Sequence, residues 1–265
     1  MTVDQNHSAV VFPGSDPRGS SHGLIILTGP SCAGKTPLLR HLLRREPELR
    51  RHLTTLVAFT SRARRDNEKD GRDYHFRTRA ELEAMGKDPR YLIVRARNDI
   101  HGIDRDAIGE TLENSHAVFE GNPYAAHALL EDSSLKVPRL GVFLSPLSRE
   151  EIQDIVACVG GKALRGIVSE MMRNRLFRRA ARWGVQLTET QRVDLETRAN
   201  AAYDELRKAW RYHHIIPNHD GEDSDHWETV VPLGDARRTL AAFTGILLTG
   251  NSPSAEHWQR ELIPP

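Results

Sequence analysis

Cysteine is scarce in this chain. There are only two among 265 residues, and Cys32 lies inside a glycine-rich turn, so no disulfide framework staples the fold and a reducing cytosol is the expected setting. An excess of one charge is missing too. The 37 Lys and Arg residues offset 36 Asp and Glu, and a net charge of +1 excludes a global field for gathering nucleic acid or an anionic membrane. No apolar run approaches the roughly 20 residues a membrane helix needs, and the first residues lack a signal-peptide core. No internal repeat is present. The expectation is a soluble, cytoplasmic protein with neither nucleic-acid nor membrane partners, long enough for one large α/β domain with insertions and tails.

What is present centres on Leu24 to Thr36. A buried apolar strand (Leu24-Ile25-Ile26-Leu27-Thr28) runs into Gly29-Pro30-Ser31-Cys32-Ala33-Gly34-Lys35-Thr36 and then a helix carrying Leu38, Leu39, Leu42 and Leu43. The turn matches G-x-x-x-x-G-K-[ST] without a gap. Small residues let several backbone N–H groups converge on an anion, and the helix adds its positive end. Residues 29–36 are therefore the expected phosphate-binding loop of a nucleotide site, with Lys35 on the outer phosphates and the Thr36 hydroxyl on Mg²⁺. Pro37 follows, where an amide would otherwise offer one more donor.

Residues 1 to about 22, polar and rich in Ser, Gly and Asp, read as a flexible leader. A second strand is expected over 53–59, strands over 91–94, 116–120, 140–144 and 214–217, and helices over 81–85, 104–112, 149–159, 189–212 and 235–248. Residues 250–265 read as a proline-containing tail. The loop over 219–228 holds His219, Asp220, Asp223, Asp225 and His226, but their spacing fits no metal pattern and a polar loop is expected.

Directly after the second expected strand comes Thr60-Ser61-Arg62-Ala63-Arg64-Arg65-Asp66-Asn67-Glu68-Lys69-Asp70-Gly71-Arg72-Asp73-Tyr74-His75-Phe76. Guanidinium groups just past a strand that begins near the phosphate loop are placed to grip a second phosphate. This block resembles the acceptor segment of guanylate kinases, T-[TS]-R-x-x-R-x-x-E-x-x-G-x-D-Y-x-F. Thr60, Ser61, Arg62, Arg65, Glu68, Gly71, Asp73, Tyr74 and Phe76 fit it at its spacing, and the phosphate loop lies upstream at the proper distance. The resemblance, clear at its start and fading toward residue 249, implies a three-layer α/β/α P-loop kinase with a central parallel sheet. It implies an acceptor-binding insertion over about 60–104 and a helical lid over about 160–188.

The resemblance also implies roles. Arg62, Arg65 and Tyr74 would hold the phosphate of a phosphorylated small-molecule acceptor, with His101 and Gly102 beside it. Glu120, ending an apolar strand, would serve acceptor and Mg²⁺ together with Thr36. Asn218 would touch the adenine region. On the lid, Arg175-Leu176 matches the family's Arg-Leu pair. The preceding lid arginine has no clean equivalent, so Lys162 or Arg165 is expected to stand in, with Arg173 a further candidate. Lys35, Arg62 and Arg175 are the expected catalytic set.

One departure concerns the base. The family reads guanine with a glutamate on the strand after the aromatic block and a serine after a Tyr-Gly pair. Here those positions hold Leu92 and Ile103, the latter in His101-Gly102-Ile103. ATP-dependent phosphorylation of GMP or dGMP is the family default. The replaced readers leave open a modified or non-guanine nucleotide, or a sugar phosphate. A catalytically silent interaction module is the third reading, although such modules usually lose the phosphate loop that Gly34, Lys35 and Thr36 preserve here. The sequence carries no sign of oligomeric state.

Overall fold

The structure, a computed structural model, describes residues 10–12, 22–65, 68–182, 184 and 186–265. In chain order the strands are β1 (Leu24–Thr28), β2 (Leu53–Thr55), β3 (Phe59–Thr60), β4 (His75–Phe76), β5 (Tyr91–Ala96), β6 (Asp99–Asp104), β7 (His116–Glu120), β8 (Arg139–Ser145) and β9 (His214–Pro217). The helices are α1 (Lys35–Arg45), α2 (Pro47–Arg51), α3 (Arg79–Met85), α4 (Arg105–Leu112), α5 (Pro123–Glu131), α6 (Arg149–Val159), α7 (Gly161–Arg182), α8 (Glu189–Leu206) and α9 (Gly234–Thr249).

A five-stranded parallel sheet in the order β2-β7-β1-β8-β9 forms the centre. Strand alternation sends Leu24 and Ile26 to one face and Ile25 and Leu27 to the other, and all four are fully buried. The first face packs against α5, α7 and α8 through Ala126, Leu164, Val168, Met172 and Ala202. The second packs against α1 and α9 through Leu38, Leu42, Phe243 and Ile246. Helices on both faces of a parallel sheet make the expected three-layer kinase architecture.

The helices around the sheet begin on side chains suited to the task. Ser148 with Glu151, Thr78 with Glu81 and Thr188 with Gln191 form reciprocal capping boxes, and Asn122 caps α5 just ahead of Pro123.

A smaller sheet, β4-β3-β6-β5, carries the acceptor segment. The strand expected over 53–59 is in fact two: β2 joins the main sheet and β3 the small one, so the chain changes sheets at Leu56–Ala58. The helix expected over 189–212 stops at Leu206, and a separate single turn occupies Ala209–Arg211. The lid segment forms one 22-residue helix, α7, whose Leu164, Val168, Met172 and Leu176 lie in the core.

Both ends of the chain depart from expectation. Most of the leader lies outside the described residues, but Val10 and Phe12 are buried against the α9 face and the Val11 amide donates to the Leu247 carbonyl. Their apolar side chains outweigh the polar composition around them. The tail is likewise docked. Glu256 pairs with Ile215 on β9 through two backbone hydrogen bonds (2.9 and 2.7 Å), Trp258 and Ile263 are buried, and the Tyr203 hydroxyl donates to the Pro264 carbonyl.

Candidate active site

The phosphate loop sits between the end of β1 and α1, at the carboxyl edge of the central strands where parallel sheets open a crevice. Gly34 has φ of 97°, and a Cβ there would lie 2.6 Å from the Asn218 amide nitrogen, so the turn requires glycine. The Lys35 ammonium donates to the carbonyls of Gly29 (3.1 Å) and Pro30 (2.8 Å), which folds its side chain over the loop. Asn218, fully buried, donates to the Ala33 carbonyl at 2.8 Å and so ties β9 to the loop.

The Thr36 hydroxyl donates to the Glu120 carboxylate at 2.6 Å. Burial pushes the Glu120 carboxyl up, against the pull of the Thr36 hydrogen bond and Lys35 and with Glu222 adding to the rise. Two adjacent hard oxygen donors beside a phosphate loop fit a magnesium ion that keeps water and phosphate oxygens as its remaining ligands. Thr36 and Glu120 are thus the residues of this site suited to hold one.

The acceptor segment closes on the same space. The Glu68 carboxylate accepts two hydrogen bonds from the Arg62 guanidinium (2.7 and 2.9 Å) and one from the Arg65 amide (2.9 Å), fixing the turn that carries both arginines. Arg62 lies over the rings of Tyr74 (5.3 Å) and Phe76 (5.7 Å). Burial, with the Glu120 carboxylate adding to it, raises the Tyr74 phenol, so it stays protonated and able to donate. Arg65 is pushed down to about 9 by burial and by the neighbouring guanidinium groups of Arg198, Arg62 and Arg179. Crowded cations of this kind are stabilised by an anion among them.

His101, on β6 opposite Val94, is pushed down to about 4 by burial and by Arg97, Arg62 and Arg198, so it is neutral near pH 7. Gly102 turns the other way. Strand alternation sets it on the opposite face, where a Cβ would meet Ile93, Phe59 and Leu82 at 3.1 to 3.5 Å, so its lack of a side chain leaves room for the packing of α3.

The lid expectations divide sharply. Arg175 is buried and donates to the Asn218 carbonyl at 3.3 Å, beside the phosphate loop. Lys162 is exposed, Arg165 pairs with Asp204 (2.8 Å) over the Tyr203 ring, and Arg173 pairs with Glu196 (2.8 Å). None of these three reaches the site, because they lie off the stripe that α7 buries.

Two other arginines, Arg179 and Arg198, lie near Arg65. Both are buried, and both bear electrostatically on Arg65. Arg179, one turn after Arg175, forms an ion pair with Glu222, and Arg198 is held by Asp194 at 2.8 Å. The sequence signal was helical spacing: Arg179 continues the buried stripe of Arg175 and Leu176, and Arg198 adjoins that of Leu195, Ala199 and Ala202. Glu222 carried no signal, since its loop reads as polar surface. Within 219–228, Asp220 is spent on His226, Ser224 and the Ala236 amide, and His219 bridges Glu151 and Asp235. Among the described residues, no helix is long and apolar enough to cross a membrane.

Comparison with known proteins identifies the family. The family model "Guanylate kinase" matches residues 21–181, from the start of β1 to the end of α7. The chain belongs to the guanylate kinase family. It is 32% identical over 155 residues to a guanylate kinase of Oceanobacillus iheyensis, an alignment covering 58% of this chain and 69% of that protein. A guanylate kinase of Thiobacillus denitrificans is 39% identical over 98 residues, 37% of this chain and 45% of that one. The crystal structure of guanylate kinase from Anaplasma phagocytophilum superposes with a TM-score of 0.51, covering 85% of this chain and 84% of the other. At 17% identity that last likeness establishes the P-loop kinase fold alone. Arg198, Asn218 and Glu222 lie beyond the span that the guanylate kinase model matches.

Proposed function

We propose that this guanylate kinase family member transfers the terminal phosphoryl group of ATP to a phosphorylated acceptor, GMP or dGMP being the family's default. The observation that carries the reading is the convergence of two cation sets on one space. Lys35 and the loop amides stand on one side; Arg62, Arg65 and the Tyr74 phenol stand on the other, with Tyr74 bearing on Glu120.

Phosphoryl transfer between two anions needs positioning and neutralisation more than covalent chemistry. In this reading Lys35 and the residues 29–36 hold the donor phosphates. Arg62, fixed by Glu68, holds the acceptor phosphate in line, with Arg65 and the neutral Tyr74 phenol donating to it. Arg175, Arg179 and Arg198 spread positive charge around the equatorial oxygens as water is excluded. A magnesium ion at Thr36 and Glu120 would neutralise charge between the donor phosphates. An acceptor phosphate oxygen is already nucleophilic, so no general base is assigned.

A second reading of the acceptor rests on the small sheet. Leu92 pairs directly with Ile103 across β5 and β6, so both guanine-reading positions present aliphatic groups to the same core. That favours a modified or non-guanine nucleotide, or a sugar phosphate, over unmodified GMP. An acceptor screen coupled to ADP release decides: turnover on GMP at family-like efficiency supports the default. Turnover confined to other phosphorylated acceptors supports the second reading. Failure to bind ATP with Mg²⁺ by calorimetry would instead leave an interaction module.

A further inference from the structure

The loop after Asn218 contributes an acid that phosphoryl transfer does not call for. Gly221 lies against the phosphate loop: a Cβ there would come 2.3 Å from the Cys32 carbonyl oxygen, and the Glu222 amide donates to that same oxygen at 3.4 Å. Only glycine permits the approach. Its consequence is that Glu222 points inward, with its side chain 14% exposed, into an ion pair with Arg179 and toward Lys35 and Arg65. The flanking acids hold the loop down, Asp223 on Arg178 at 2.8 Å and Asp225 on Arg182, all against the end of α7.

Arg179, Lys35 and Arg65 are the cations assigned above to phosphates. Burial raises the Glu222 carboxyl, yet these three together hold it below the usual carboxylate range, so it is ionised where it stands. A carboxylate and a phosphate cannot both occupy that cluster without strong like-charge repulsion. We propose that Glu222 is an internal stand-in for a phosphoryl group, neutralising the cation cluster and yielding Arg179 when the donor's terminal phosphate arrives, and that it thereby sets donor affinity. This rests on the phosphoryl-transfer reading of the site.

The alternative is that Glu222 merely positions Arg179, and the two differ in sign. The test is calorimetric titration of the full chain, without acceptor, with ATP and separately with inorganic tripolyphosphate. Glu222→Gln is expected to bind both about tenfold more tightly than wild type. Asp225→Asn, which removes the Arg182 ion pair but leaves Arg182 on the Asp223 carbonyl and Glu222 in place, is expected to stay within about twofold. Unchanged or weaker binding by Glu222→Gln overturns the proposal, and so does an equal gain in Asp225→Asn, which would point to loop slack. If Glu222→Gln does not fold, Glu222→Asp withdraws the carboxylate by one methylene and should give a smaller gain of the same sign; a loss overturns. Lys35→Ala reports on the underlying reading: wild-type ATP affinity in that variant removes the donor site itself. Lost affinity there, with Glu222→Gln unimproved, removes the Glu222 role alone.

Discussion

Leu92 on β5 stands directly across the ladder from Ile103 on β6, two aliphatic side chains where the guanylate kinase family places a glutamate and a serine. A site built to hydrogen-bond a base rejects analogues because buried polar groups are left unpaired. With both readers aliphatic, that discrimination is expected to be lost. Wild-type kcat/KM for GMP is expected below about 10⁴ M⁻¹s⁻¹, the lower end of the ordinary enzyme range. The double change Leu92→Glu with Ile103→Ser should raise it at least about tenfold. Because Ile103 is buried, the serine is also expected to cost about 2–3 kcal/mol of stability, read by urea unfolding. Efficient GMP turnover by the wild type would sink the altered-pocket reading.

Lys35→Ala should abolish turnover while leaving the circular dichroism spectrum and unfolding midpoint near wild type. Arg62→Ala should raise the acceptor KM by roughly 10- to 100-fold with a smaller effect on kcat. Glu68→Gln should move KM in the same direction but less, since Glu68 acts by holding Arg62. Steady-state ADP release across an acceptor titration separates the three.

Arg198→Met is expected to lower kcat by about 10²- to 10³-fold, the usual scale for removing a preorganised donor to developing charge. Arg165→Ala, which parts an exposed pair with Asp204 and takes the guanidinium off the Tyr203 ring, should stay within about twofold. The reverse ranking would favour Arg165, one of the lid residues first expected to stand in, over Arg198.

Pro37, buried in the first turn of α1, has no N–H to offer an anion at the helix start. Pro37→Ser restores one donor and should tighten ATP binding about fivefold, the equivalent of about 1 kcal/mol. Equal or weaker affinity in the titration would show that the missing amide never faced the nucleotide.

His116 gives a pH dependence with a definite sign. Burial, followed by His22 and His52, pushes it from 6.5 down to about 4, and its Nδ1 accepts the Gly23 amide at 3.1 Å. Above pH 6.5 neither folded nor unfolded chain carries the proton. Below it the unfolded chain takes up a proton that the folded chain refuses, so stability falls as pH drops toward 4. His116 alone contributes a slope of up to about 1.4 kcal/mol per pH unit. His116→Gln, which keeps an acceptor for Gly23 but does not titrate, should flatten unfolding free energies measured at pH 7, 5.5 and 4.5. An unchanged slope would assign the acid sensitivity elsewhere.

The phosphate loop and acceptor block were legible because their chemistry is local: Gly29 to Thr36 and Thr60 to Phe76 each place several functional groups within one short stretch. The apolar runs of β1, β7 and β8 disclosed the central sheet in the same way. The lid was read less well because exposure there is decided by which side of α7 meets the core. Composition alone does not distinguish Arg179, on the buried stripe, from Arg165 or Arg173 off it. Glu222 was invisible for a different reason. Its position depends on Gly221 lying against Cys32, almost 190 residues earlier in the chain, and no local pattern records that approach.

The pairing of Glu256 with Ile215 bears on how the protein behaves in a test tube. β9 is the last strand of its sheet, and its outward N–H and C=O groups would otherwise be a ready template for another chain to add on. The closing segment blunts that rim. A version of the chain stopped at residue 249 would keep every group assigned to phosphate binding and yet be prone to self-association, so shortened forms intended for crystallisation should retain the last sixteen residues.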